Sequence, residues 1–433
     1  MTQERAREER EAQDRAKLQE ESGRLFGLVI PKQPESDGWL YDRLVDSARY
    51  WNELEDERHY ELLASIVLHS GRVRENQTTP YLFCHGPPGT GKNRIGHWLR
   101  VFCHRGFMVV SPKPANLFWT MERHHPTLII DEAEKLAPYH RNKGELAEAR
   151  IEILNAGYQQ NQLIPRVNNE TGTLKFYDPY GLKVILSTED LPDATKSRCI
   201  VINTDENVNW DIPVSHPTTE DSEIKPLRQY LEYYWGQYQP NSLWAREPEP
   251  SLTLDQLKLM IPNYRSVEKF GPLYRVTPDP QRQKHILELA VEDANDRREE
   301  RGTSMDAEIL QALAHARETE LIDRYTVADI AKRFNEGREK WETLSSEQIG
   351  RKLRKFGLKP SRGHGGVRCV LWDEARMARR FKRYGIRTIT VTTVTPNETV
   401  TPTVTQAPSQ GDSMTVGDSN GTKGQQPDPG VER

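Results

Sequence analysis

Residues 81–93 are Tyr81-Leu82-Phe83-Cys84-His85-Gly86-Pro87-Pro88-Gly89-Thr90-Gly91-Lys92-Asn93, an apolar run followed by a glycine-rich loop. The apolar run Tyr81 to Cys84 predicts a short buried strand, and Ile95 to Val101 beyond the glycines has the spacing of an amphipathic helix. Strand, glycine loop, helix is an arrangement that holds phosphate. The glycines let successive backbone N–H groups turn inward, the helix N-terminus adds its positive dipole end, and Lys92 supplies a point charge for the β/γ-phosphates. The expected nucleotide-binding set is therefore Gly86, Pro87, Pro88, Gly89, Thr90, Gly91, Lys92 and Asn93. A plain Gly/Pro turn is the alternative, and the flanking strand and helix weigh against it.

The last position departs from the usual pattern. Where such a loop carries Ser or Thr, whose hydroxyl ligates Mg²⁺, this chain has Asn93. An amide oxygen can ligate a hard cation, but the longer side chain shifts the geometry. Nucleotide binding tolerates that exchange better than hydrolysis does.

Composition bounds the rest. A chain of 433 residues has room for two or three domains, and its 35% hydrophobic and 29% charged content predicts much exposed helix or tail. The net charge is only −4, yet from Arg324 to Arg387 there are 18 Lys/Arg against 7 Asp/Glu. An acidic partner would bind there. Cys84, Cys103, Cys199 and Cys369 form no C-x-x-C pair, and the dipeptides Cys84-His85 and Cys103-His104 do not converge as zinc ligands, so buried thiols are expected. No apolar run is long enough to span a bilayer and the N-terminus has no signal-like core, which predicts a cytoplasmic protein with no membrane partner.

Downstream of the loop, Thr127 to Ile130 predicts a central parallel strand ending in Asp131-Glu132. Acids at the carboxyl end of such a strand emerge where ligands bind in open α/β sheets. Asp131 would hold Mg²⁺ and Glu132 would polarise the attacking water; two acids opening a solvated helix are the bland alternative. Tyr158 to Phe176 predicts a projecting hairpin, solvent-facing or DNA-touching. Leu182 to Leu186 predicts a strand whose tip, Ser187-Thr188, either positions water or makes an ordinary turn. Arg198, before the apolar run Cys199 to Ile202, is placed to reach the γ-phosphate of a neighbouring subunit, or else forms a surface salt bridge.

Together GPPGTGK, LIIDE, a strand ending Ser-Thr, and Ser197-Arg198-Cys199 resemble the AAA+ ATPases, and the last tripeptide is similar to the arginine finger of clamp loaders. Residues 40–385 as a whole resemble an uncharacterised ATPase family of phages, plasmids and integrated elements, through TTPYLFCHGPPGTGK, PTLIIDEAEKL, ILNAGYQQ, LPDATKSRCIVI and NYRSVEKFGPLY. The resemblance implies an α/β fold, a P-loop AAA+ parallel sheet with flanking helices and helical lid. It also implies ATP and Mg²⁺ as cofactors, and DNA, further copies in a ring or partial ring, and primase or other replication proteins as partners. In AAA+ proteins a lid arginine contacts the γ-phosphate, and Arg265 is the residue in that place. Asn93 departs from both resemblances.

From Met305 the pattern turns to short helices. Ser345 to Phe356 predicts a third helix closed by Gly357, and Lys359 to Trp372 a glycine-turned hairpin, an order that resembles a winged helix. Arg351, Lys352, Arg354 and Lys355 would then meet DNA from that helix while Arg362 and Arg368 ride on the wing; a protein-docking module is the alternative. The expected organisation is a charged N-terminal segment (1–39), a nucleotide-binding core with helical prelude (40–224), a helical lid (225–303), a winged-helix DNA-binding domain (304–387) and a disordered tail (388–433). The function expected is an ATP-hydrolysing AAA+ motor on DNA in replication or mobile-element maintenance, a helicase, initiator or loader. Its rivals are a non-hydrolysing ATP-gated DNA-binding regulator and a protein-remodelling ATPase.

Overall fold

The computed structural model describes residues 2–110, 114–133, 145–167, 172–238, 252–339, 342–362 and 367–386. The tail expected at 388–433, the glycine turn at 363–366 and the hairpin tip at 168–171 lie outside the described residues. A charged helix, α1 (Thr2–Phe26), is followed by the amphipathic pair α2 (Asp37–Trp51) and α3 (Arg58–Ser70). The Ser36 hydroxyl caps α2 by accepting from the Trp39 amide, so the helix starts where its apolar stripe starts. Then come β1 (Tyr81–His85), α4 (Lys92–Phe102), β2 (Phe107–Val110), α5 (Pro114–His124), β3 (Leu128–Asp131) and α6 (Glu145–Ala156). The hairpin β4 (Ile164–Val167) and β5 (Leu174–Tyr177) leads to β6 (Lys183–Ser187), α7 (Asp193–Lys196) and β7 (Cys199–Asn203).

Five of these strands form one sheet in the order β2-β3-β6-β1-β7, parallel throughout. β6 therefore separates the glycine-loop strand from the acidic strand, and His85 is in register with Ser187 on one side and Asn203 on the other. Both faces of the sheet are covered, which is why these strands read as continuous apolar runs. Alternate residues go to opposite faces: Leu82, Cys84, Val184 and Leu186 pack with α2, α3, α4 and apolar residues between Ile224 and Ala294, whereas Tyr81, Phe83, Leu128 and Ile185 pack with residues of α5 and α6. Cys84, Cys103 and Cys199 are buried free thiols.

Four helices follow, α8 (Ile224–Gly236), α9 (Leu254–Met260), α10 (Tyr264–Val276) and the long α11 (Pro280–Gly302). A separate apolar cluster, from Ile309 to Phe381, organises the C-terminal part. It comprises α12 (Met305–Thr319), β8 (Arg324–Thr326), α13 (Val327–Asn335), α14 (Ser346–Lys355), β9 (Ser361–Arg362), β10 (Arg368–Leu371) and α15 (Glu374–Tyr384). The three strands are antiparallel in the order β8-β10-β9. Ser345 and Gln348 form a reciprocal capping box that fixes the start of α14. The short β8 has too little apolar pattern to read from sequence, yet it forms one edge of the sheet by pairing with β10. Among the described residues no helix is long and apolar enough to cross a membrane.

Candidate functional site

The glycine loop joins the carboxyl end of β1 to the first turn of α4, and two of its glycines do what only glycine does cheaply. Gly89 and Gly91 have φ of 86° and 82°, the left-handed region that turns successive amides the same way. Gly86 is required for a different reason: a Cβ there would stand 2.3 Å from the backbone oxygen of Thr204. Gly91 caps α4 without a side-chain acceptor and the first turn holds no acid. The positive end of that helix thus meets no acidic side chain from its own first turn.

Lys92 lies buried over the loop, its ammonium donating to Gly86 O at 2.7 Å and Pro87 O at 2.5 Å and lying 3.4 Å from the Thr90 hydroxyl. Next to it, the Asn93 side-chain amide donates to an Asp131 carboxylate oxygen at 3.2 Å. The pair is brought together from α4 and β3 across the strand between them. This bond uses the amide nitrogen, so the amide oxygen is the atom left for a hard cation. With Asp131 it makes an oxygen donor set of the kind Mg²⁺ takes alongside phosphate and water. Among the described residues no group of three or more His, Cys, Asp or Glu could hold a metal by itself.

Glu132 follows in a left-handed conformation, φ 52°, with its amide on the Asp131 carboxylate at 2.8 Å. A glutamate held there carries backbone strain, and its side chain is exposed. Ser187 is buried at the tip of β6, and its hydroxyl accepts from the Glu189 amide at 3.1 Å. It is thus engaged in the turn, while Thr188 beside it is half-buried.

Sequence reading missed the segment after β7. Thr204 bonds the Thr90 hydroxyl at 2.7 Å, Asn207 stands by Gly91, and the Pro213 carbonyl accepts from Arg94. The His216 ring stacks on His97 at 4.2 Å between centroids. Residues 204–216 therefore run as a strap along the glycine loop and the first turns of α4. Burial, then the neighbouring His216 and Arg100, push the His97 imidazole below its ordinary pKa. The rule that sites gather at the carboxyl ends of parallel strands applied to Asn203-Thr204 as much as to Asp131, and would have found this segment.

Two expected residues lie elsewhere. Arg198 precedes β7, and its carbonyl accepts from the amide of Tyr81, so it stands at the opposite end of the strands from the loop. Its guanidinium lies over the Tyr158 ring at 5.8 Å, and Arg265 lies over the same ring at 5.1 Å. Arg265 also pairs with Glu268 at 2.7 Å. The resemblance implies that Arg265 contacts a γ-phosphate; the structure places it where α10 begins, over the amino edge of the sheet and away from the glycine loop of the same chain. Just behind them, Lys269 is buried with Asp293 at 2.5 Å and donates to Cys199 O at 2.8 Å.

A third group is the basic C-terminal surface. Arg351, Arg354 and Lys355 are exposed along α14, and Arg368 is exposed on β10. Lys352 differs: its ammonium pairs with Asp306 at 2.7 Å, against α12. Arg362 lies in β9, and its side chain is outside the described residues.

No protein-family model matches the chain, and no curated protein does. Among solved structures, it is similar to a full-length MCM homolog from Methanopyrus kandleri at 13% identity and a TM-score of 0.38, over 61% of this chain and 62% of that one. The NrS-1 C-terminal region gives 13% identity and a TM-score of 0.36, over 80% and 78%. The SCCmec type IV Cch active helicase gives 10% and 0.37, over 82% and 72%. The chain thus spans under two thirds of the MCM homolog, and likenesses at these scores decide nothing about its activity.

Proposed function

We propose that this chain is an AAA+ ATPase that couples ATP hydrolysis to work on DNA through a C-terminal winged helix, as a head-to-tail ring or partial ring. The observation that carries the reading is the meeting of Asn93 and Asp131 at 3.2 Å beside Lys92, at the carboxyl edge of a parallel sheet. ATP would lie against the amides from Gly86 to Lys92. Asn93 and Asp131 would hold Mg²⁺, which when bound would supply positive charge to the triphosphate. Glu132 would orient the attacking water, with Thr188 beside it.

Arg198 and Arg265 would act together on the triphosphate of a neighbouring copy, since both stand at the sheet edge away from their own glycine loop. Such a heterologous contact closes into a ring when its rotation permits. The order of α12 to α14 and β8 to β10 supports a winged helix, with α14 as the DNA-facing element. Replication or mobile-element maintenance is the setting that the sequence resemblance favours.

Phosphate release with and without duplex DNA tests the reading. Turnover that rises with DNA and vanishes in Lys92→Ala is the expected result. A second reading has one observation in its favour: Asn93 in place of a hydroxyl residue suits an ATP-gated DNA-binding regulator that does not hydrolyse. ATP binding without turnover above the Lys92→Ala control would select it.

A further inference from the structure

The last described helix, α15, carries five cations and one acid in 11 residues. Arg376, Arg379, Arg380 and Arg383 fall at i, i+3, i+4 and i+7, one stripe of the helix. The opposite face is spent on the core: Met377 and Phe381 are 0% and 2% exposed. Packing therefore fixes which way the arginines point.

That stripe abuts α14. Arg376 donates to Gly357 O at 2.8 Å, Arg380 lies 3.9 Å from where a Gly357 Cβ would stand, and Phe356 meets Tyr384 edge-on at 5.9 Å. Gly357 is the turn that ends α14, so the last turn of α14, which carries the exposed Arg354 and Lys355, ends beside α15. Among the described residues, Arg376 alone of these cations has an acid within ion-pair reach, Asp373 at 3.5 Å. Lys352, by contrast, has been drawn off by Asp306. So dense a row of like charges costs stability until a polyanion neutralises it.

We propose that α14 and α15 form one continuous phosphate-binding saddle for a DNA duplex, with α15 clamping the backbone beside the groove that α14 enters. This deepens the DNA reading given above and rests on it. A stripe of i to i+7 runs about 10 Å along a helix, enough to serve two or three successive phosphates of one strand at about 3.4 Å of rise each. A membrane surface fits less well. A helix that lies on lipid buries an apolar face in it, whereas the apolar residues of α15 are committed to the protein interior and its exposed small residues are Ala375 and Ala378.

The test is the salt dependence of full-chain binding to a fluorescent duplex, without nucleotide, for wild type, an Arg379→Gln/Arg380→Gln/Arg383→Gln variant and an Arg351→Ala/Arg354→Ala/Lys355→Ala variant. All six positions are at least partly solvent-exposed, and circular dichroism checks that each variant is folded. Each triple should flatten the slope of log K against log salt by about two to three and weaken binding at least tenfold near physiological salt. An unchanged slope and affinity in the α15 variant, with loss in the α14 variant, overturns this proposal and leaves the DNA reading standing. A wild type with no salt-dependent duplex binding overturns both. Wild-type binding to phosphatidylserine vesicles that exceeds duplex binding, and is lost in the α15 variant, reassigns the stripe to a membrane and overturns it as well.

Discussion

Arg198 and Arg265 lay their guanidinium groups against one ring, that of Tyr158, at 5.8 and 5.1 Å. One arises before β7 and the other in the first turn of α10, so that helix and the sheet meet at this ring. The Arg198 Nε is buried without a hydrogen-bond partner among the described residues, a cost that a ligand oxygen would relieve. If the pair serves a neighbour, Arg198→Ala should lower kcat about 10³-fold, and so should Lys92→Ala. Mixing the two inactive variants should restore turnover, because each supplies what the other lacks. An inactive mixture would assign the arginines to structure alone.

In the proposed reading Asn93 and Asp131, 3.2 Å apart, would hold the metal. Asp131→Asn should reduce phosphate release at least about 100-fold while ATP binding in chelator is kept. Asn93→Thr, which puts back a hydroxyl, should raise turnover about tenfold, or about 1.4 kcal/mol of barrier. A slower Asn93→Thr enzyme would mean that the amide is the better ligand in this loop.

The Lys269–Asp293 pair, at 2.5 Å and shared with Ser266 and Arg297, ties α10 and α11 to the start of β7 through Cys199 O. Burial lowers the Lys269 ammonium to about 8, and the adjacent Lys269 and Arg297 charges hold the Asp293 carboxyl below its usual range despite its burial. Removing one partner strands a buried charge, so Asp293→Asn should cost about 3–5 kcal/mol in urea unfolding. The Lys269→Met/Asp293→Leu double variant should cost less than the single. Equal losses would show that packing, not charge, dominates there.

His69 gives the stability a pH dependence. Fully buried beside Thr79, its imidazole is held down at about 3 by desolvation and then by Arg72. The folded value lies below the unfolded one near 6.5, so between them the unfolded chain binds the extra proton. This contribution is complete above about pH 6.5 and falls as pH drops toward 3. At pH 5 the loss from this residue should be about 2 kcal/mol. His69→Gln should flatten the unfolding free energy between pH 7 and 5, and an unaltered slope would remove His69 as its source.

The amino-acid sequence alone encoded the glycine loop, the strands that flank it, the acidic strand end and the basic C-terminal surplus. Those are local: a glycine loop between strand and helix, an apolar run covered on both faces, a capping box and a helical stripe all express contacts within a few residues of each other. It also supplied the oxygen pair Asn93 and Asp131, though not their distance.

Tertiary structure alone decided the rest, because it depends on which elements pack against which. β6 inserts between β1 and β3, so Ser187 comes level with His85. Helix α10 begins at the amino edge of the sheet, which sends Arg265 to Tyr158 and away from Lys92. Asp306, on another helix, takes Lys352 out of the basic row, while Gly357 brings α15 into it. Each outcome turns on a side chain meeting a partner far away in the chain, and no periodicity encodes such a meeting: it follows from burying two apolar faces together and accepting whatever polar neighbours come with them.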